Sequence, residues 1–176
     1  MNLSLRCEQP GDESRISEVT ELAFRTAAHT CGREHILVGD LRAAGALTIS
    51  WVALVEEEIV GHVAVSPVEV EKSESGWFGL GPLSVVPEFQ RRGIGGRLMT
   101  ATLAELRARG ARGCILVGDP AFYTRFGFVA DGTFTMPGVP AEVVLALRFA
   151  PGDDHGLVSF HPAFLAALNG EAGASE

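Results

Sequence analysis

Between Trp77 and Arg109 the apolar pattern changes period across a corner of glycines, and this stretch constrains the fold more than any other. On one side, Trp77 to Val85 reads as a strand. On the other, Leu98, Met99, Thr102, Leu103 and Leu106 fall on one stripe of a helix running from Gly95 to Arg109 and closed by Gly110. Gln90-Arg91-Arg92-Gly93-Ile94-Gly95-Gly96 joins the two. A helix that begins in such a corner presents amides with no intrahelical acceptor, and its dipole adds positive potential. Glycines without a Cβ let an anion approach those amides. The local physics is that of an anion cradle, although glycine clusters also mark ordinary turns. A dinucleotide fingerprint needs a further glycine where Leu98 stands, and a P-loop needs Gly-Lys-Ser/Thr, so neither pattern fits.

The rest of the chain supplies elements around this unit. Leu3 to Cys7 alternates like a short strand, and Asp12 is placed to cap a helix with Ile16, Val19 and Ala23 on one face. A second helix is expected over Glu34 to Ala44, with Leu37, Leu41 and Ala44 together and Gly45 as its C-cap. Thr48 to Val55 and Ile59 to Val70 read as an antiparallel hairpin across Glu56-Glu57-Glu58, with a bulge or interruption at Pro67. Cys114 to Val117 has the continuous apolar character of a central strand, Pro120 opens a brief helix to about Phe126, and Ala141 to Phe149 is the last clear strand. Glu171 to Glu176 is small and polar and is expected to fray. The order predicts one α/β domain whose central sheet is mixed, mostly antiparallel and flanked by helices.

Composition narrows the function. A chain of 176 residues, 47% hydrophobic and 20% charged, suits one globular domain. No apolar run reaches the roughly 20 residues of a membrane span, and the first residues lack a basic segment followed by an apolar one, so a cytoplasmic address is expected. Cys7, Cys31 and Cys114 are odd in number and widely spaced, which favours neither a disulfide framework nor a zinc site. A net charge of −8 disfavours nucleic acid and is compatible with an amine-bearing substrate.

The corner resembles motif A of the GNAT superfamily of N-acetyltransferases, whose core is Gln/Arg-x-x-Gly-x-Gly/Ala at a helix start. Gln90, Gly93 and Gly95 match it, and Val85, Pro87 and Glu88 match the approach from the strand. Downstream, Phe122-Tyr123-Thr124-Arg125-Phe126-Gly127-Phe128 resembles the family's Tyr-x-x-x-Gly-Phe motif. The likeness covers roughly Leu3 to Arg148. Gly118-Asp119-Pro120-Ala121-Phe122-Tyr123 is a shortened form similar to that of a poorly characterised bacterial branch. Residues 1–150 are expected to form the acetyltransferase domain, and 151–176 an extension that packs on it or at a homodimer interface.

The resemblance implies acetyl-CoA as cosubstrate and the primary amine of a small molecule or peptide as acceptor. Main-chain groups of Leu83, Ser84 and Val85 would meet the pantetheine, and those of Arg91, Arg92, Gly93, Ile94, Gly95 and Gly96 the pyrophosphate. An amide near Ser84 or Val85 would stabilise the oxyanion. Tyr123, the single tyrosine, would protonate the departing thiolate, with packing as the alternative role. The base is open. The strand Cys114 to Val117 carries no acid, so Asp119 is the nearest carboxylate, although it also suits a helix cap before Pro120. Glu69, Glu71, His62 or a water chain are further candidates. His29, Cys31 and His35 are read as shaping the acceptor site, with no metal expected. The rival reading is a non-catalytic acyl-CoA-binding sensor or interaction module on the same scaffold.

Overall fold

The computed structural model describes residues 2–28 and 30–169. Strand β1 (Leu3–Cys7) leads into helices α1 (Glu13–Phe24) and α2 (Glu34–Ala43). Strands β2 (Ile49–Val55) and β3 (Glu58–Pro67) form the expected hairpin. Its turn places Glu56 and Glu57 at φ +49° and +71°, the twist that joins right-handed strands most closely. The short strand β4 (Glu69–Lys72) follows, then β5 (Trp77–Val85), helix α3 (Ile94–Ala108), strand β6 (Gly113–Val117) and the short helix α4 (Pro120–Tyr123). Strands β7 (Phe134–Thr135), β8 (Val144–Arg148) and β9 (His155–Ser159) precede helix α5 (Pro162–Asn169).

The main sheet has six strands in the order β1-β2-β3-β5-β6-β8. Every neighbouring pair in it is antiparallel except β5 and β6. Helix α3 packs over β2, β3 and β5, and α1 covers β3 and β5 from the other face with α2 beside it. Ile16 and Val19 of α1, Leu98, Met99 and Leu106 of α3, and Val52, Val63 and Ala64 of the sheet are among the most deeply buried residues. Trp51 Nε1 donates to Glu105 Oε2 at 2.6 Å and ties β2 to α3.

Several expectations are corrected. Asp12 flanks α1 without a side-chain cap bond. Its carboxylate instead accepts from Arg6 at 2.6 and 3.0 Å and from the Gln9 amide, and that Arg6 bond holds its pKa below the usual range. Pro67 is the interruption rather than the bulge, and the run to Val70 is not one strand, because the chain there leaves the main sheet. β4 joins a second, three-stranded sheet in the order β4-β9-β7. Residues 141–149 are not the last strand either. Ala141–Val143 is a 3-10 turn, β8 begins at Val144, and β9 comes later. Helix α5 lies on α2 through Ala163 and Ala167 against Leu37 and Leu41. His29 and Glu171 to Glu176 lie outside the described residues. No helix among those described is long and apolar enough to cross a membrane.

Candidate active site

The corner after β5 is built by three local devices. Pro87–Phe89 makes a 3-10 turn, and Gln90 Nε2 donates back to the Val85 carbonyl at 2.9 Å. Arg91 and Gly93 then take left-handed backbone, φ +59° and +82°, which reverses the chain and aims it into α3. Gly93 is the residue without a Cβ penalty for that conformation. Helix α3 starts without a side-chain cap, and its first turn closes through Arg97 N to Gly93 O at 3.0 Å. The amides of Ile94, Gly95 and Gly96 therefore have no acceptor within the helix. The Ile94 side chain is in the core, so that residue can offer only its amide, while Arg91, Arg92 and Arg97 are exposed around the corner. A Cβ at Gly95 would stand 3.6 Å from Phe122 Cζ and 4.0 Å from both Leu83 Cδ2 and Val85 Cγ2. The bare side of Gly95 thus looks along the end of β5 toward α4.

Beside this corner the sheet opens. Strands β5 and β6 pair only at Trp77–Gly113, Phe78–Cys114 and Gly79–Ile115, while β5 runs on to Val85 and β6 to Val117. From Leu80 onward the β6-facing edge of β5 has no strand partner among the described residues. The register with β3 decides which groups line it. The Val86 amide donates to the Val60 carbonyl at 2.9 Å, and main-chain groups alternate sides along an antiparallel strand. Ser84, opposite His62, consequently turns its N–H and C=O to β3, while Leu83 and Val85 turn theirs to the open edge. Of the three residues expected to offer main-chain groups, Ser84 is the one whose groups the ladder already uses.

Tyr123 ends α4 with its ring against Gly118, where a Cβ would collide with it. The ring meets Phe122 edge-on at 4.8 Å and Phe128 at 6.1 Å. Burial first, then the proximity of Cys114 and Asp119, pushes its pKa up to about 12. The phenol thus keeps its proton throughout the ordinary pH range. Asp119 is exposed, and its Oδ1 accepts from the Ala121 amide at 2.9 Å, with Pro120 at the first helical position. It acts as the N-cap of α4.

The other expected residues separate. Glu69 and Glu71 leave with β4 for the second sheet and are exposed there. His62 is wholly buried in β3, and burial, then Arg42, pushes its pKa down to about 3. Its Nε2 lies 2.7 Å from Ser50 Oγ, which donates to Glu8, and Glu8 Oε1 accepts from Arg42 Nε at 2.6 Å. Ser50 and Glu8 escaped sequence reasoning because nothing local marks two residues 42 positions apart as bonded. Between α1 and α2, Cys31 packs toward Leu37 and Leu41, and burial raises its pKa. Glu34 Oε1 accepts from Thr30 Oγ1 and the Cys31 amide at 2.8 and 2.7 Å. Glu21, Phe24, Thr30, Glu34 and His35 help line a cavity of about 230 Å³ there. Among the described residues no cluster of three or more His, Cys, Asp or Glu is placed to hold a metal ion.

Comparison with known proteins agrees with this geometry. The family profile described as "Acetyltransferase (GNAT) domain" matches residues 47–130. The uncharacterized N-acetyltransferase YhbS of Escherichia coli (strain K12) is 36% identical over 125 residues, covering 70% of this chain and 72% of that protein. A crystal structure of a GNAT family acetyltransferase from Brucella melitensis in complex with acetyl-CoA superposes with a TM-score of 0.82 at 44% identity, covering 93% of this chain and 98% of that one. The E. coli YhbS structure in complex with CoA gives 0.83 at 32% identity, covering 94% and 93%. At this identity and coverage the chain belongs to the GNAT family of acetyltransferases.

Proposed function

We propose that this protein is an N-acetyltransferase that moves an acetyl group from acetyl-CoA to the primary amine of a small molecule or peptide by direct attack. The observation that carries the reading is the continuity between the open edge of β5 and the uncapped start of α3. The groups present there fit the cosubstrate. Amides of Ile94, Gly95 and Gly96 with the exposed Arg91 and Arg92 suit a pyrophosphate, and the main chain of Leu83 and Val85 suits an extended amide-bearing arm. Acetyl-CoA, when bound, supplies the activated acyl group, so no nucleophile on the protein is required.

The chain's own residues have separable tasks. Tyr123 holds a proton on its hydroxyl for the leaving thiolate. Asp119 fixes the start of α4 and so the place of Tyr123, and its capping bond weighs against a role as base. The cavity beside α1 and α2, lined by Glu34, His35 and the Glu21–Arg25 ion pair among others, is read as the acceptor side. Within the family, the Gly118-to-Tyr123 segment is read as marking the bacterial branch with the shortened motif. Residues 1–150 are read as the transferase domain. In the 151–176 extension, residues 151–169 are read as packing on it, supported by the pairing of β9 with β4 and the contact of α5 with α2.

One observation favours a second reading. Strand β6 buries Cys114, Ile115 and Leu116 and offers no carboxylate, as a non-catalytic acyl-CoA sensor would allow. Thermal melting with and without acetyl-CoA tests both. Ligand at one hundred times its Kd adds about 2.7 kcal/mol, and Gly95→Glu should abolish that gain by filling the corner. A well-folded wild type with no shift refutes acyl-CoA binding. A shift without thioester turnover on any primary amine selects the sensor.

A further inference from the structure

Ion pairing divides the arginines unevenly. A chain of net charge −8 offers each of them an excess of carboxylates. Even so, among the described residues Arg33, Arg91, Arg92, Arg97, Arg107 and Arg125 make no ion pair. Four of these, Arg91, Arg92, Arg97 and Arg125, are exposed on the two segments that meet at the start of α3. Glu88, the acid of the corner, is exposed and pairs with none of them. Positive charges gathered without counterions repel one another, and an anion set among them relieves that repulsion.

Arg91, Arg92 and Arg97 come with the corner itself, whereas Arg125 arrives from another segment. Phe122, Arg125 and Phe126 stand at i, i+3 and i+4 on α4 and the 3-10 turn Thr124–Phe126 that continues it, so they share a face. That face lies on the first turn of α3. Phe122 Cζ would be 3.6 Å from a Cβ at Gly95, and Phe126 Cζ 3.8 Å from one at Gly96. The Arg125 guanidinium lies over the Phe122 ring, 4.9 Å from its centroid. Its one hydrogen bond among the described residues, from Nη2 to the Ala121 carbonyl, is long at 3.4 Å, which leaves most of its five N–H groups free to donate. Arg92 is held in the same way over Phe89, at 5.2 Å. A ring beneath the guanidinium plane steadies the side chain and leaves its N–H edge outward, an arrangement suited to a phosphate.

We propose that Arg125 is a further cosubstrate-binding residue, which closes the phosphate site from the α4 side and, with Arg91, Arg92 and Arg97, holds the nucleotide phosphates of acetyl-CoA at the start of α3. The corner by itself presents donors from one segment only. Arg125 adds a charged donor from the segment that carries Tyr123, so the two walls of the site both contribute. This assignment rests on the acyl-CoA reading and adds to it a residue outside the glycine corner.

Titration calorimetry of CoA into wild type, Arg125→Met and Arg107→Met tests it. Methionine keeps an unbranched apolar stem on Phe122 and removes the charge. Arg107 is the matched control. It too is exposed, without an ion pair and over a ring, Phe149 at 4.6 Å, but it stands about 18 Å along α3 from Gly95. Arg125→Met is expected to melt like wild type without ligand, to raise the Kd for CoA roughly tenfold, and to make that Kd less sensitive to added salt. Arg125→Lys should recover part of the loss, and Arg107→Met should keep the wild-type Kd. Equal Kd values for wild type and Arg125→Met overturn the assignment. So does an equal loss in Arg107→Met, which would make the effect one of overall charge. A wild type that fails to bind CoA removes the reading beneath it instead.

Discussion

Gly95 sits where a Cβ would meet the Phe122 ring at 3.6 Å, so the first turn of α3 and the start of the Tyr123 segment share one wall. That spacing is ordinary van der Waals contact, and a methyl group fits it without displacing either helix. Gly95→Ala should therefore fold normally and gain up to about 1 kcal/mol from helix propensity, while Gly95→Glu folds but no longer responds to acetyl-CoA. Calorimetric melts of the three proteins, with and without the ligand, separate the steric effect at the corner from any loss of structure.

Tyr123→Phe keeps the ring that packs on Gly118, Phe122 and Phe128 and removes only the hydroxyl. The expected result is a fall in kcat of about a hundredfold with the Kd for acetyl-CoA unchanged, read by release of free CoA thiol. The sign of the pH effect follows from the raised pKa of about 12 against an ordinary 10. Between those values the unfolded chain has lost the proton that the folded one retains, so stability falls as pH rises through that window. Tyr123→Phe should remove that alkaline loss.

His62 gives the opposite limb. Its folded pKa of about 3 lies below the ordinary 6.5, so between those values the unfolded state binds a proton that the folded state refuses. Stability is then complete above pH 6.5 and declines as the pH falls toward 3, by up to about tenfold in the folding equilibrium per pH unit. Urea denaturation at pH 7 and 4.5 should show the decline in wild type and a shallower one in His62→Gln. Equal slopes would place the acid sensitivity elsewhere.

Asp119 can be divided into its two possible roles by substitution. Asp119→Asn keeps an oxygen for the Ala121 amide and discards the charge, whereas Asp119→Ala loses both. The cap reading expects near-normal kcat in the asparagine variant and about 1 kcal/mol of lost stability in the alanine variant. An asparagine variant that is stable but inactive would return Asp119 to the list of bases.

Much of this was legible along the chain because it depends on neighbours in sequence. The period change between Trp77 and Arg109, the glycines that turn the corner at Gly93, and the Asp119-Pro120 helix start each act over a few residues, and all appear in the structure. Asp12 misled for an instructive reason. Its side chain has the right chemistry for a cap, but Arg6 on the preceding strand offers an ion pair that outcompetes the helix amides. Likewise Val68 to Lys72 continues an extended pattern, yet nothing in that pattern says which strand will accept its hydrogen bonds.

Sequence by itself therefore determined helices α1 and α2, the β2–β3 hairpin, the corner and α3, since backbone sterics and side-chain period are local properties, while Tyr123 was singled out by resemblance. Tertiary structure alone decided that β5 parts from β6 after Gly79, that β4 pairs with β9, and that Glu8, Arg42, Ser50 and His62 share one part-buried chain. Strand order and buried polar contacts join residues dozens of positions apart. They are selected by the burial of both sheet faces together, a quantity that no single window of the sequence contains.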